Sequence, residues 1–173
     1  MKDLRSLSEP WLRGPISGVP PVVAPVLYAF IQAREDLAEH TAGLTVEQIW
    51  TRPLGLAPVG FQLRHIAGSL DRLGTYLMGQ PLDEAQMAAL RTEMEPGPSR
   101  EELLAGVNRA LALAEERIRS IDPASLTQPR VVGRKRLPTT VVGLLVHIAE
   151  HTQRHVGQAI SAAKLIRAWG EAD

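Results

Sequence analysis

Four long segments of this chain repeat apolar residues at intervals of three and four, with proline or glycine between segments. In the first segment, over residues 22–40, the repeat consists of Val26, Phe30, Ala33 and Leu37. The other three cover residues 59–78, the stretch from Ser99 to about residue 121, and residues 138–166. This spacing places the apolar side chains on one face of an α-helix. The pattern predicts an all-α fold, a four-helix bundle whose apolar faces share one core.

Shorter elements are expected between the long helices. Thr45 followed by Gln48, and Ser99 followed by Glu102, match the capping box that opens a helix. A short helix should follow Thr45, and a short acidic helix should cover residues 83–93. No segment alternates convincingly between polar and apolar residues, and Val131 with Val132 is too short a run to predict a strand.

The long helices also divide the chain. The first 25 residues contain five prolines, so residues 1–24 are expected to form an arm outside the bundle. The bundle should cover residues 25–168, and residues 169–173 should form a C-terminal tail. The segment after residue 129 is expected to be a polar loop, and Pro138, Thr139 and Thr140 are expected to open the fourth long helix.

The composition excludes several classes of function. The 173 residues contain no cysteine, which rules out disulfides, thiolate metal ligands and cysteine nucleophiles. The 19 basic and 19 acidic residues balance, so the chain lacks the positive charge typical of nucleic-acid binders. No apolar run approaches the roughly 18 residues of a membrane span, and the N-terminus does not look like a signal peptide. A cytoplasmic protein without membrane or nucleic-acid partners is expected.

Three of the five histidines lie in the fourth long segment. His151 and His155 are four residues apart, so their imidazoles share one face of the helix and can converge on one metal ion. His147 extends this row by one turn, along the edge of an apolar stripe. Gln158 lies on the same edge and is expected to line a pocket or to support a ligand, whereas Glu150 points about 100° away from His151.

A metal site of the catalytic type needs a third protein ligand from another helix. His65 is the candidate, on a flank of the second long helix with Phe61, Ser69 and Tyr76, which could line a pocket. The ordinary alternative is that these histidines are surface residues or hydrogen-bonded side chains. Periodicity alone leaves both interpretations open. For His40 the ordinary interpretation is favoured, because a protonated imidazole suits the last turn of a helix.

Two other metal patterns fit less well. His147, Glu150 and His151 match the H-x-x-E-H motif of inverted zinc proteases, but the carboxylates downstream of His151 are confined to the last three residues. A ferritin-like di-iron site needs Glu-x-x-His, and Gln153 occupies the histidine position after Glu150.

Two segments together resemble the DinB-like proteins, a family that includes bacillithiol-transferase and YfiT-like members. Arg52-Pro53 with Gln62-Leu63-Arg64-His65-Ile66-Ala67 is similar to the family's first-ligand segment. The run from His151 to Gln158 is similar to its closing motif, although Arg154 replaces the first of two adjacent histidines found in many members. The resemblance implies a four-helix bundle, with His65, His151 and His155 as ligands of a divalent metal, commonly zinc or nickel. Members of the family are often dimers, so the resemblance also implies a homodimer.

The resemblance leaves two functions open. One is a metal-dependent enzyme that activates a thiol or water for transfer or hydrolysis of a small-molecule substrate, with a low-molecular-weight thiol as cofactor. The other is a stress-associated bundle that binds a metal or a partner without turnover. The sequence names no catalytic residue. The basic segment with Arg130, Arg134, Lys135 and Arg136 could hold the carboxylates of a cofactor or could simply be solvated.

Overall fold

The computed structural model describes residues 8–170. Its helices are α1 (Ala24–His40), α2 (Val46–Trp50), α3 (Val59–Leu77), α4 (Glu84–Arg91), α5 (Arg100–Arg119) and α6 (Val141–Gly170). Two short strands, β1 (Pro129–Val132) and β2 (Leu137–Thr140), lie between α5 and α6. The mostly helical fold predicted from the apolar repeats is confirmed for the described part of the chain.

Capping boxes begin three of the described α-helices, α2, α4 and α5. The predicted capping boxes are present at Thr45 before α2 and at Ser99 before α5. A further one opens α4, where the Asp83 carboxylate accepts from the backbone N–H of Gln86. Each cap satisfies backbone donors that the first helical turn leaves without a partner.

The four long helices pack around one apolar core. Helix α3 contacts α5 and α6, while α1 contacts α6 and, less extensively, α5. The largest fully buried side chains come from all four of these helices and include Phe30, Leu63, Ile66, Leu111 and Ile148. Burial of these aliphatic and aromatic faces supplies the main driving force for folding. It also fixes α3 against α6, the two helices that carry His65, His151 and His155.

A β-hairpin replaces the polar loop and the first turn of α6 that were expected from the sequence. Strands β1 and β2 pair antiparallel, from Pro129 opposite Thr140 to Val132 opposite Leu137. Pro138 and Thr139 are therefore strand residues, and α6 begins only at Val141. Thr140 links the two elements, because its hydroxyl accepts from the N–H of Gly143 in the first turn of α6.

This hairpin was missed because its strands are only four residues long. The available signals were β-branched residues on both sides of a turn that contains Gly133. The all-α expectation is therefore wrong in this segment. The hairpin packs on α3 and α6 rather than extending into solvent.

The N-terminal arm lies against α1 over its described part. Pro10–Leu12 forms a single turn of 3-10 helix in contact with α1. The Arg13 guanidinium pairs with the Glu35 carboxylate, with Nη2 to Oε2 at 2.8 Å, and the Tyr28 hydroxyl donates to the Gly14 carbonyl. At the other end, α6 reaches Gly170, two residues into the expected tail. Residues 1–7 of the arm and 171–173 of the tail lie outside the described residues.

Between residues 8 and 170, no helix combines the length and the apolar character that crossing a membrane requires.

Two helical glycines provide a matched test of the packing. A Cβ at Gly60 would lie 2.8 Å from the Trp50 indole, whereas a Cβ at Gly157 would meet nothing within 4 Å. We expect Gly60→Ala to lower the free energy of unfolding by about 1–3 kcal/mol through overpacking. Gly157→Ala should raise it by up to about 1 kcal/mol through helix propensity. Thermal denaturation measures both effects, and shifts of the same sign would contradict this packing.

Candidate metal centre

Three histidines from two helices converge at the α3–α6 contact. One ring nitrogen from each of His65, His151 and His155 lies within 4.8 Å of the other two. The ring centroids are 4.3 Å apart for His65 and His155, 4.5 Å for His151 and His155, and 5.2 Å for His65 and His151. The structure thus brings together the three residues that the sequence singled out, and their binding of a metal stays a prediction.

A buried carboxylate orients His65. Nδ1 of His65 lies 2.7 Å from Oε2 of Glu93, which follows α4 and is only 5% exposed. The other carboxylate oxygen accepts from Nη1 of Arg72 at 2.8 Å. With Glu93 as acceptor, the proton is on Nδ1 and the lone pair of Nε2 is free to bind a cation. A carboxylate behind a histidine is the usual support of a metal ligand.

The ionised state of Glu93 is favoured by its two partners. Burial acts to raise the pKa of this carboxyl, but the hydrogen bonds from His65 and Arg72, together with the Arg72 charge, lower the pKa below its ordinary value. Neither Glu93 nor Arg72 was identified from the sequence as part of the site. A buried glutamate after a short acidic helix gives no periodic signal that links it to His65.

A buried amide orients His155. Its Nδ1 donates to Oε1 of Gln62 at 2.7 Å, which leaves Nε2 with a free lone pair. Gln62 is 3% exposed and lies three residues before His65 on α3. The sequence pointed instead to Gln158, which the structure shows to be exposed. That expectation is wrong, because the cavity beside the histidines borders His147 and His151, whereas Gln158 lies beyond His155 at the opposite end of the row.

Within the described part of the chain, His151 has no such partner. Its Nε2 is 3.0 Å from Nε2 of His65, and within residues 8–170 its Nδ1 is the buried side-chain nitrogen or oxygen that lacks a hydrogen bond. Since Nε2 of His65 has a lone pair, a proton or a cation must separate these two nitrogens. A divalent ion bound by both would satisfy them together. The donor set, three imidazoles with two of them oriented by buried partners, therefore fits a metal ion.

His151 and His155 of α6 are neutral at physiological pH. Burial lowers the pKa of His151 to about 4, and the nearby His65, His147 and Arg154 act in the same direction. Burial also lowers the pKa of His155 to about 4, with contributions from His65 and His151. Because only a neutral imidazole can bind a metal, these pKa values keep both nitrogens available as ligands across the neutral range.

His147 and Glu150 form a separate, more exposed pair. Nδ1 of His147 is 2.7 Å from a Glu150 oxygen, and the other Glu150 oxygen accepts from Arg154 at 2.6 Å. These contacts turn Glu150 along the helix surface, so that His147, Glu150 and His151 also offer ligand atoms within 4.8 Å. Glu150 is 42% exposed and already has two partners. The buried triad is therefore the better candidate for a metal site.

A cavity of about 1730 Å³ opens beside the triad. His65, His147 and His151 border it, and its other walls are formed by α3, the α4 region and the β-hairpin. Ser69 and Tyr76 line it, as the flank of α3 predicted, whereas Phe61 stacks on His65 with the ring centroids 5.3 Å apart. The volume exceeds the roughly 300–1,000 Å³ of a typical ligand pocket, and part of the cavity is open to solvent.

Comparison with known protein families gives a match over most of the bundle. A family model described as the DinB superfamily matches residues 29–159, which includes all three histidines of the triad. No curated protein matches the chain.

The pKa values of His151 and His155 predict a pH dependence of stability. In the unfolded chain both histidines titrate near pH 6.5, so between about pH 6.5 and 4 the unfolded state binds more protons. The free energy of unfolding of the metal-free protein should therefore fall as the pH drops through this range. Thermal denaturation with a chelator present measures it. A double variant, His151→Gln with His155→Gln, should show a flatter profile, and an unchanged slope would contradict the assignment.

Proposed function

The chain belongs to the DinB superfamily, and we propose that it is a metal-dependent enzyme whose single divalent ion is held by His65, His151 and His155. The observation that carries this proposal is the convergence of the three ring nitrogens within 4.8 Å at the border of an open cavity. In keeping with the family, the four long helices are taken as its four-helix bundle. A homodimer and a cytoplasmic location are part of the same proposal.

Zinc or nickel suits this donor set. Imidazole nitrogen is a preferred ligand of both ions, whereas calcium and magnesium prefer oxygen. Three neutral ligands leave the charge of a divalent ion uncompensated and leave at least one coordination position for an exogenous molecule. His65 and His151 border the cavity, so that position would be accessible to a small-molecule substrate.

The chain's own residues prepare the site. Glu93 and Gln62 hold the protons of His65 and His155 on Nδ1, which directs both Nε2 lone pairs toward the centre. Arg72 fixes Glu93 from behind, and the cavity admits the reactants. A bound divalent ion would supply the chemistry by lowering the pKa of a thiol or of water for transfer or hydrolysis. Because the chain has no cysteine, a reacting sulfur must come from a low-molecular-weight thiol.

The competing function is a stress-associated metal- or partner-binding bundle without turnover. The observation in its favour is the modest supply of acid and base groups at the triad. Glu93 is already engaged by His65 and Arg72, and Glu150 by His147 and Arg154. The large open cavity favours the enzyme, because a purely structural metal site needs no space for a substrate.

Metal content tests the ligand assignment. We expect protein purified without a metal-affinity tag to contain one divalent ion per chain by elemental analysis. His151→Ala should lose most of it, because three-ligand sites depend on every nitrogen. His40→Ala is the matched control, since His40 lies in the last turn of α1, away from the triad. Equal loss of metal from both variants would overturn the assignment.

Turnover then separates the two functions. The metal-loaded protein is incubated with a panel of low-molecular-weight thiols and electrophiles, and with ester and amide substrates. Activity that requires metal and disappears in His151→Ala supports the enzyme. Full metal occupancy with no turnover across the panel would favour the binding protein.

The hydrogen bond from His65 to the Glu93 carboxylate should control metal affinity. Glu93→Gln removes the charge that orients His65, so we expect the dissociation constant of the metal to rise about 10–100-fold. Titration calorimetry of the chelator-treated protein measures this change. Glu150→Gln is the control, because Glu150 contacts His147 rather than a member of the triad. A larger loss of metal affinity in Glu150→Gln than in Glu93→Gln would assign the metal to the exposed pair, His147 and Glu150.

A further inference from the structure

Arginine side chains from separate elements line the cavity beside the triad. Arg91 comes from the last turn of α4, Arg130 from β1, and Arg134 and Arg136 from the hairpin turn. Arg72 lines it too but is paired with Glu93. From the sequence, Arg130, Arg134, Lys135 and Arg136 formed one basic segment that could hold the carboxylates of a cofactor or could be solvated. The fold brings them to one cavity with Arg91 and with the histidines of α3 and α6.

We infer that these arginines hold the carboxylate or phosphate groups of a small anionic molecule. That this molecule is the substrate rests on the proposed function. The triad then faces the reacting end of a molecule whose anionic end is held at the hairpin and α4. The arginines thereby give the cavity a preference for anionic molecules, which the three histidines alone do not provide.

No carboxylate within residues 8–170 forms an ion pair with the guanidinium groups of Arg91, Arg130, Arg134 or Arg136. The side chains of Arg91, Arg134 and Arg136 have neither an ion pair nor a hydrogen bond with any residue between 8 and 170. Arg130 donates from Nε to the Leu77 carbonyl at 2.8 Å and from Nη1 to the Pro129 carbonyl at 3.0 Å. Both acceptors are neutral, so the charge of Arg130 is also available to an external anion.

The charge is concentrated rather than spread over the surface. The whole chain has no net charge, yet within residues 8–170 four arginines line this cavity in addition to the paired Arg72, against two carboxylates, Asp83 and Glu84. Asp83 is occupied in capping α4. In a concave site with apolar walls, like charges raise the local concentration of the opposite ion.

The choice of arginine points to the class of anion. A guanidinium presents paired N–H donors that match the two oxygens of a carboxylate or a phosphate. Lys135, in the same hairpin turn, does not line the cavity. Leu73, Met87 and Val131 add an apolar wall, which suits a ligand with an apolar body and an anionic end.

Binding of simple anions tests this site independently of the metal. Glutarate and glycerol 3-phosphate are titrated into metal-loaded and chelator-treated protein by calorimetry, with neutral glutaramide as the uncharged probe. We expect at least one anion to bind both forms and glutaramide to bind neither. Arg134→Ala and Arg91→Ala, from different elements, should each raise the dissociation constant about tenfold, which is the loss of roughly 1.4 kcal/mol. Tighter binding of glutarate would indicate a carboxylate substrate, and tighter binding of glycerol 3-phosphate would indicate a phosphate.

Two charge controls complete the experiment. Lys135→Ala removes a charge from the same turn, and Arg109→Ala removes an exposed arginine from α5, outside the cavity. Both should leave the dissociation constant unchanged. Equal weakening in all four variants, or no binding of either anion to the wild-type protein, would overturn the inference. If the triad proved not to bind metal, anion binding to the metal-free protein would still support the arginine site.

Discussion

The packing of α3 against α6 is the contact on which the rest of the site depends. Leu63, Ile66 and Leu70 of α3 share one buried cluster with Ile148 and Val156 of α6. These side chains alternate along each helix with the residues of the triad, so the rotation that buries the apolar faces also directs the histidines toward one another. A rotation of one helix by about 100°, the step between successive residues, would separate His65 from its partners.

This apolar contact tolerates polar groups only because each is paired. Glu93 joins His65 to Arg72, and Gln62 joins α3 to His155 on α6. Burial of an unpaired carboxylate or amide would cost several kcal/mol, so the hydrogen bonds are a condition of the packing as well as a means of orienting the imidazoles. His151 is the exception, with its Nδ1 lacking a partner among residues 8–170. Within these residues the polar network is therefore incomplete behind His151, the member of the triad whose Nδ1 no hydrogen bond orients.

The regions outside the four long helices determine what reaches the triad. Helix α4 and the β-hairpin are small elements that contribute little to the apolar core, yet they form much of the cavity wall. Local caps at Asp83 and Thr140 begin α4 and α6, and hydrogen bonds from the side chains of Gln86 and Arg130 tie α4 and β1 to α3. The stable helices thus support the proposed chemistry, and these smaller elements supply the charge that would select a ligand.

Local regularities of the sequence determined the long helices, the capping boxes of α2 and α5, and the alignment of His151 with His155, because residues three and four apart share a helical face whatever surrounds them. The same rule marked His65 as a candidate without showing its partners. Only the tertiary structure decided that Glu93, 28 residues away, supports His65, and that Gln62, 93 residues away, supports His155 in place of Gln158. It also converted an apparent loop into a hairpin with arginines directed at the cavity. Such contacts depend on how α3 rotates against α6 and on the path of the connecting segments, which no periodicity within a single helix encodes.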